Sequence, residues 1–278
     1  MMKRSLPIPH RTQVAKFYIN KNLKAAGIFA IFLTACNLQT GKNQYILAER
    51  LFSDQKYQAA VQEYRKIVEA DPKGLLAQQS MFRIGIIEQI YLEEYSDAVK
   101  IYRQFTLTSR NRELIYQAEK NIGEIYFTKT ENYRGAIEQY KRLLENFPDS
   151  TERDLFLYRI GKSYYGALEF QKAIGVFREL IKKFPNSSLL AEAQYQIGNT
   201  LSTRGDCDVA IPEFKKVILS YPNAKESVFA EFGLASCLEE LEKYREALDA
   251  YSHVLDKYPQ KNIVESKIKR LTQKIKRR

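Results

Sequence analysis

One spacing dominates this sequence of 278 residues, because it recurs along nearly the whole chain. Alanines stand 38, 38, 37, 37 and 37 residues apart, at Ala60, Ala98, Ala136, Ala173, Ala210 and Ala247. An aromatic residue follows each of them by four positions, at Tyr64, Tyr102, Tyr140, Phe177, Phe214 and Tyr251. Such self-similarity is typical of repeats that bury their apolar faces against their neighbours. The period therefore favours a repeat array over the two globular domains that length alone would suggest.

A second pattern within each repeat predicts two helices. A ring or a cysteine lies three residues before each alanine, so this residue, the alanine and the following ring share one helical face. Four repeats close with an aromatic-proline pair such as Phe184-Pro185, where a helix cannot continue. Further upstream, small residues would let the second helix approach the first closely: Ala48, Gly85, Gly123, Gly161, Gly198 and Ala235.

These spacings resemble those of the tetratricopeptide repeat. In the fourth repeat Gly161, Ala173, Phe177 and Pro185 stand 12, 4 and 8 residues apart, and the period is about three residues longer than the usual 34. The resemblance covers about residues 43–260. It implies an all-α fold, a right-handed superhelical solenoid of about six helix pairs whose first helices line a concave groove.

Residues 261–278 are strongly basic, with eight cations against the single acid Glu265. Ile263, Ile268, Leu271 and Ile275 recur close to helical spacing. This pattern predicts a basic C-terminal helix that caps the sixth repeat, and a frayed tail is the alternative. The outer charges could contact anionic head groups or an acidic partner.

The formal charge of +11 belongs to the two ends of the chain. Residues 1–35 hold six cations and no acid, and the cations precede an apolar run at 25–33. This order is that of a secretory signal peptide, and the run is too short for a membrane span of about 20 residues. Residues 36–260 carry a net charge of −2, which argues against a nucleic-acid-binding surface across the fold.

The end of this signal resembles a bacterial lipobox, Leu33-Thr34-Ala35-Cys36. The resemblance implies a signal peptide at 1–35, an acylated Cys36 as the first mature residue and a lipidated linker at 36–42. Asn37 stands where the inner-membrane retention signal would place Asp, which by the same resemblance favours the outer membrane. Durable anchoring needs at least two acyl chains, and a lipoprotein cysteine carries them.

The lipobox, the long repeats and the aromatic-proline ends together resemble the BamD family of the β-barrel assembly machinery. The resemblance implies a lipid-anchored scaffold on the periplasmic face of the outer membrane that binds proteins or peptides, with no nucleic acid and no small-molecule substrate. The alternatives are an adaptor of the Tol-Pal type, an adaptor of the type IV pilotin type, or a general tetratricopeptide-repeat protein.

The tetratricopeptide resemblance also implies groove residues. Its groove positions fall on one ladder at Phe82, Lys120, Tyr158, Tyr195 and Phe232, and on a second at Glu124, Lys162 and Asn199, with Phe127 and Tyr165 nearby. Rings flanked by Lys, Glu and Asn suit an extended peptide, because rings bury area while polar groups bond to its backbone. The alternative is that these rings belong to the core between repeats.

No catalytic pattern accompanies these features. The sequence has two histidines, no Walker loop, no GxSxG and no HExxH, so an enzyme, a cofactor and a metal site are not expected. A hidden active site in the groove remains the alternative.

Two cysteines remain besides Cys36, and an oxidising periplasm would favour a bridge between them. Cys207 would begin the second helix of the fifth repeat, and Cys237 would lie late in the first helix of the sixth. Antiparallel neighbours would bring these positions together. Either a Cys207–Cys237 disulfide or two small buried thiols fits the sequence.

Overall fold

The computed structural model describes residues 39–277, and all the regular structure in that range is helical. The predicted signal peptide and Cys36 lie outside the described residues. The chain divides between Ser109 and Arg110 into two compact units.

The first unit contains two helix pairs. Its helices are α1 at 39–53, α2 at Tyr57–Ala70, α3 at Leu75–Ile90 and α4 at Tyr95–Thr108. Helix α1 already includes residues 39–42, which the sequence assigned to a linker. The helical array therefore begins earlier than residue 43.

The second unit contains four further pairs and one final helix. These are α5 at Arg112–Glu124, α6 at Tyr133–Asn146, α7 at Arg153–Gly166, α8 at Phe170–Lys183, α9 at Leu190–Thr203, α10 at Cys207–Ser220, α11 at Lys225–Glu240, α12 at Tyr244–Val254 and α13 at Lys261–Lys276. The predicted fold class, an all-α solenoid of six helix pairs with a C-terminal capping helix, is confirmed.

The periodic alanines and rings form the core of every repeat. Each of the six alanines is fully buried, and each ring four residues later is at most 1% exposed. An alanine leaves room at the helix crossing for the ring one turn further on. The second helix of each pair therefore packs on the first through a small side chain, the alanine, and one turn later through a large one, the ring.

The ring of each second helix lies against a glycine of the first helix in four pairs. A Cβ atom added to Gly161 would lie 2.6 Å from Cε1 of Phe177, and one added to Gly85 would lie 2.5 Å from Cε1 of Tyr102. Gly123 and Gly198 have the corresponding relation to Tyr140 and Phe214. These glycines are therefore required for close approach, as the spacing predicted.

We expect Gly161→Ala to lower the free energy of unfolding by about 1–3 kcal/mol, because the new methyl group would displace the buried Phe177 ring. Gly175→Ala is the matched control on the exposed face of α8, where nothing lies within 4 Å of an added Cβ. That change should raise stability by about 1 kcal/mol through helix propensity alone. Urea unfolding followed by circular dichroism measures both, and effects of the same sign would contradict the proposed contact.

The third repeat has an irregular first helix. Helix α5 continues into a single π-helical turn, Ile125–Lys129, in which Thr130 N–H donates to the carbonyl of Ile125 at 3.0 Å. Gly123 and Ala136 are 13 residues apart, whereas Gly161 and Ala173 are 12 apart. Gly85 and Ala98 are also 13 residues apart, yet α3 is a regular α-helix, so the spacing alone does not account for the π turn.

The capping helix α13 buries a slightly different stripe from the predicted one. Val264 and Leu271 are almost fully buried, and Ile268 and Ile275 pack beside them. Ile263 was expected in this stripe but is 39% exposed. The spacing explains the correction, because 264, 268, 271 and 275 follow the helical period more closely than 263 does.

Candidate functional site

Side chains join the first helices of the second unit into a continuous surface. We call this surface, formed by α5, α7, α9 and α11, the first-helix wall. Lys120 of α5 donates to both carboxylate oxygens of Glu152, at 2.7 and 2.6 Å. The hydroxyl of Tyr116 also donates to Glu152 and lies 2.8 Å from Oγ of Ser150. Predicted groove residue Lys120 is thus held by the segment that precedes the next first helix.

The two predicted groove tyrosines of α7 and α9 are half-buried. Tyr158 donates its hydroxyl to Glu192 at 2.7 Å, and its ring centroid lies 6.0 Å from that of Phe177. The Tyr195 ring lies 6.1 Å from Phe214 and 6.2 Å from Phe229, and burial raises the pKa of Tyr195 to about 12. Each ring therefore packs within the array on one side and retains an accessible edge on the wall.

The second predicted ladder is a row of paired charges and rings. Glu124 accepts a hydrogen bond from Tyr140 at 3.0 Å and pairs with Arg159 at 3.2 Å. The guanidinium of Arg159 also lies 4.6 Å from the ring centroid of Phe127.

Further along the wall, the ammonium of Lys162 lies 5.6 Å from the ring centroid of Tyr165. The hydroxyls of Tyr165 and Thr203 are 3.1 Å apart, and Thr203 also donates to the backbone carbonyl of Asn199. The structure thus brings Lys162, Tyr165 and Asn199 into one neighbourhood between α7 and α9.

The ends of the predicted ring ladder are packed more tightly. The Phe232 ring stacks on Tyr258 with centroids 4.4 Å apart and lies 5.5 Å from Tyr251. Phe82 belongs to the first unit, where its ring lies 5.4 Å from that of Phe105. For these two residues the contacts resemble those of the core alternative more than those of an open groove.

The wall contains a cleft of about 540 Å³ that the sequence did not predict. We call it the loop cleft, because the segment between α6 and α7 forms one side of it. Its lining residues are Arg112, Glu113, Tyr116, Phe147, Asp149, Ser150, Thr151 and Glu152. The Tyr116 and Phe147 rings meet edge to face at 5.0 Å, and the guanidinium of Arg112 lies 5.5 Å from the Phe147 centroid. Two ring edges beside charged groups could accept an apolar side chain and the polar backbone next to it.

A second, smaller cleft of about 230 Å³ lies between α9 and α11. We call it the carboxyl cleft, and its lining residues are Glu192, Tyr195, Lys225, Glu226 and Phe229. Glu192 and Glu226 share a hydrogen bond. Burial acts to raise the pKa of both carboxyl groups, but the net shifts differ. Hydrogen bonds from Glu226, Tyr158 and Gln196 outweigh burial at Glu192 and lower its pKa, whereas the pKa of Glu226 remains raised. When the pair holds one proton, these opposite shifts favour Glu226 over Glu192 as its carrier.

The raised pKa of Glu226 means that its contribution to stability is lost as pH rises through that pKa. We expect Glu226→Gln to raise the melting temperature at pH 8, because an amide donates to Glu192 without ionising. The gain should shrink towards pH 4.5. Thermal melts followed by circular dichroism across this range provide the test.

Glu213→Gln is the control for that experiment. Burial raises the pKa of Glu213, but hydrogen bonds from Lys216 and Gln194 outweigh it and lower the pKa. Its carboxylate therefore stabilises the fold above the unfolded pKa. The Gln variant should melt at a lower temperature at pH 8. A gain at pH 8 for both variants, or for neither, would contradict the assignment of the proton.

The structure pairs Cys207 with Cys237 in a disulfide, with Cα atoms 5.0 Å apart. Cys207 begins α10 and Cys237 lies near the end of α11, so the bridge connects two antiparallel helices of the second unit. Of the two alternatives that the sequence left open, the structure has the bridge.

Thiol labelling of the denatured, unreduced protein should therefore find no free thiol from Cys207 or Cys237. Labelling after reduction is the positive control and should find both. Two free thiols per chain before reduction would show that the cysteines are separate core residues. Carrying out the labelling on a Cys36→Ser variant keeps the third cysteine out of the count.

Metal-binding clusters and membrane-spanning helices are both absent from the described part of the chain. Residues 39–277 contain no group of three or more His, Cys, Asp and Glu side chains that could hold a metal ion. Over the same residues, no helix combines the length and apolarity needed to cross a bilayer.

The wall's repeats match known sequence patterns. Residues 121–150 and 156–187 match one model of the tetratricopeptide repeat, and residues 195–262 match another. These matches show tetratricopeptide repeats over that part of the second unit, and the helix pairs of the first unit include the same small-residue and ring contact, Gly85 with Tyr102. A search of curated protein sequences finds no match.

Three solved structures of proteins with different described roles are similar in fold to this chain. The Naa15/Naa10 complex bound to HypK has a TM-score of 0.63 at 18% identity, and the match covers 94% of this chain but only 38% of that one. PilW, a type IV pilus biogenesis factor, has a TM-score of 0.52 at 15% identity, covering 82% of this chain and 98% of PilW. YrrB, a tetratricopeptide protein with an unusual peptide-binding site, has a TM-score of 0.50 at 16% identity, with 73% and 96% covered. At these identities the likeness is one of fold alone.

Proposed function

We propose that this protein is a lipid-anchored scaffold on the periplasmic face of the outer membrane, which binds extended segments of partner proteins in outer-membrane protein assembly. The observation that carries the binding function is the first-helix wall, with its half-buried rings and two clefts. Tetratricopeptide-repeat proteins are typically interaction scaffolds rather than enzymes, and the wall offers the surface that such a role needs.

The chemistry of the wall suits an extended segment better than a small molecule. The loop cleft and the carboxyl cleft lie in different repeats, so a ligand that enters both must span several residues. Between the two clefts, the hydroxyl of Tyr158 and the ammonium of Lys162 can form hydrogen bonds with the backbone of such a segment. The clefts would take its side chains, which gives the binding its selectivity.

Two ion pairs neutralise cations at the centre of the wall. Lys120 is neutralised by Glu152, and Arg159 by Glu124. Partly exposed pairs of this kind contribute little stability, so a partner's polar group can replace one member at small cost. The proposed partner is therefore a segment with apolar anchors and a free backbone rather than a highly charged tail.

Position-specific photo-crosslinking tests this proposal in the native host. A photoreactive residue at Thr151 in the loop cleft or at Lys225 in the carboxyl cleft should capture the same partner. The matched controls are Lys182 and Lys215, which are exposed on the second helices α8 and α10. We expect barrel-assembly subunits or nascent barrel segments from the wall positions. Equal capture from both faces, or none from the wall, would refute the wall as the binding surface.

The identity of the captured protein separates the proposed role from its alternatives. PilW shares the fold, so a pilus component captured at the wall would favour a pilotin-type adaptor. A Tol-Pal component would favour the other adaptor class. Turnover by the purified protein that Glu124→Gln abolishes would instead support an enzyme, and steeply salt-dependent binding of duplex DNA would support a nucleic-acid role.

Anchoring at the membrane rests on the sequence around Cys36. We expect Cys36→Ser to leave the protein uncleaved or to release it from the membrane fraction, because a serine cannot carry the thioether-linked lipid. Cell fractionation and the size of the mature chain measure both effects. A variant that is still processed and still sediments with the outer membrane would exclude the lipobox.

A further inference from the structure

The net positive charge of the mature chain is concentrated in its capping helix. Residues 36–260 have a net charge of −2, whereas the described residues 261–277 hold seven cations and one acid, Glu265. Helix α13 buries Val264, Ile268, Leu271 and Ile275 against the preceding repeat. Its cations are therefore distributed over the remaining surface of the helix, most of them exposed.

Local ion pairs neutralise only part of this charge. Lys267 and Arg270 share the carboxylate of Glu239, and Lys261 pairs with Asp256 at 2.7 Å. Lys274 lies over the ring of Tyr244, with its ammonium 4.4 Å from the centroid. Among the described residues no carboxylate is in ion-pair contact with Lys269, Lys276 or Arg277. Complementing the dipole at the C-terminal end of the helix accounts for cations in the last turn, but not for Lys269.

An exposed isoleucine lies among these cations. Ile263 is on the first turn of α13 and borders a shallow groove of about 330 Å³ that Asn262, Ser266, Lys267 and Arg270 complete. On a helix, positions 263, 267, 270, 274 and 277 form one stripe beside the buried one. This stripe combines four cations with one apolar side chain, and Lys269 and Lys276 lie beyond it on the side of the helix that faces away from the buried stripe. Together the stripe and these two lysines form the outer face of α13, which has the composition of a helix that lies on a lipid surface.

We infer that the outer face of α13 is a contact site for an anionic phospholipid surface. The charge complementarity selects this occupant, because several cations along one helix can each approach a different head group while Ile263 enters the acyl boundary. The inference goes beyond the proposed scaffold function, and it does not require Cys36 to be acylated. Each lysine or arginine at such a surface strengthens binding by about five-fold.

The absence of tryptophan from the sequence permits a direct test on the full chain. Ile263→Trp introduces the sole tryptophan on the proposed contact face, and Leu219→Trp introduces it instead at an exposed position near the end of α10. Excitation at the red edge of the absorption band selects tryptophan over the tyrosines. With vesicles of phosphatidylglycerol that carry brominated acyl chains, the Ile263→Trp emission should shift to the blue and be quenched. Brominated phosphatidylcholine vesicles should leave it unchanged, and the Leu219→Trp emission should change with neither.

Charge variants in the Ile263→Trp chain identify the cations responsible. Lys269→Gln, Lys276→Gln and Arg277→Gln together remove three cations without ion-pair partners, so the fold should be retained, as circular dichroism would verify. The lipid concentration for half-maximal quenching should rise on the order of 100-fold. Lys182→Gln, Lys215→Gln and Arg245→Gln remove the same charge from α8, α10 and α12, and should leave that concentration nearly unchanged.

Three results would overturn the inference. Equal losses in the two triple variants would show that only total charge matters. Equal quenching at positions 263 and 219 would show adsorption without orientation. A larger blue shift of the Ile263→Trp emission with duplex DNA or an acidic peptide, at the same concentration of negative charge, would assign the helix to a macromolecular partner instead. Partner crosslinks at Thr151 or Lys225 are unaffected by any of these results, so this inference and the scaffold function fail separately.

Discussion

The close contact between a first-helix glycine and a second-helix ring determines the geometry of the repeats. Phe177 on Gly161 and Phe214 on Gly198 leave no space for a methyl group. Because the ring fills the interface of one pair, the rest of each first helix is free to present other side chains. The wall residues Tyr158 and Tyr195 lie one turn before these glycines. The contact between glycine and ring therefore also fixes the position of the two tyrosines on the wall.

Most of the fold could be predicted because a small residue, an alanine and a ring recur at nearly the same spacing in each repeat. An isolated alanine or glycine carries little information, but six at one spacing define a helix face and its partner. The local departures from this regular pattern were less evident in the sequence. Gly85–Ala98 and Gly123–Ala136 have the same spacing of 13 residues, but the first helix ends in a π turn in the third repeat and not in the second. Each turn between paired helices also contains one residue of positive φ, and only Gly205 among them is a glycine; Leu168 adopts that conformation because the packed helices impose it.

The candidate site was less predictable. A position in the repeat fixes the helix face on which a side chain lies, but not which neighbouring residues it contacts. Lys120, Tyr158 and Tyr195 do lie on the first-helix wall, but Phe232 stacks on Tyr258, the ring of the last aromatic-proline pair. The loop cleft depends on Phe147 and Ser150, which the sequence suggested only as a helix end. The carboxyl cleft depends on Glu192 and Glu226, 34 residues apart. Their hydrogen bond follows from the packing of α9 on α11, which no local pattern contains.

The distribution of charge separates two kinds of surface in the second unit. On the wall, Lys120 pairs with Glu152 and Arg159 with Glu124 across successive helices, so the field of these pairs falls off quickly and shape and hydrogen bonding decide which segment fits there. On α13 the cations outnumber their carboxylates, so attraction extends about one Debye length into solution, about 8 Å at physiological ionic strength. A surface of the first kind selects among partners that are already close. A surface of the second kind orients the whole chain towards an anionic plane before any specific contact forms, and the two can therefore act together without competing for the same ligand.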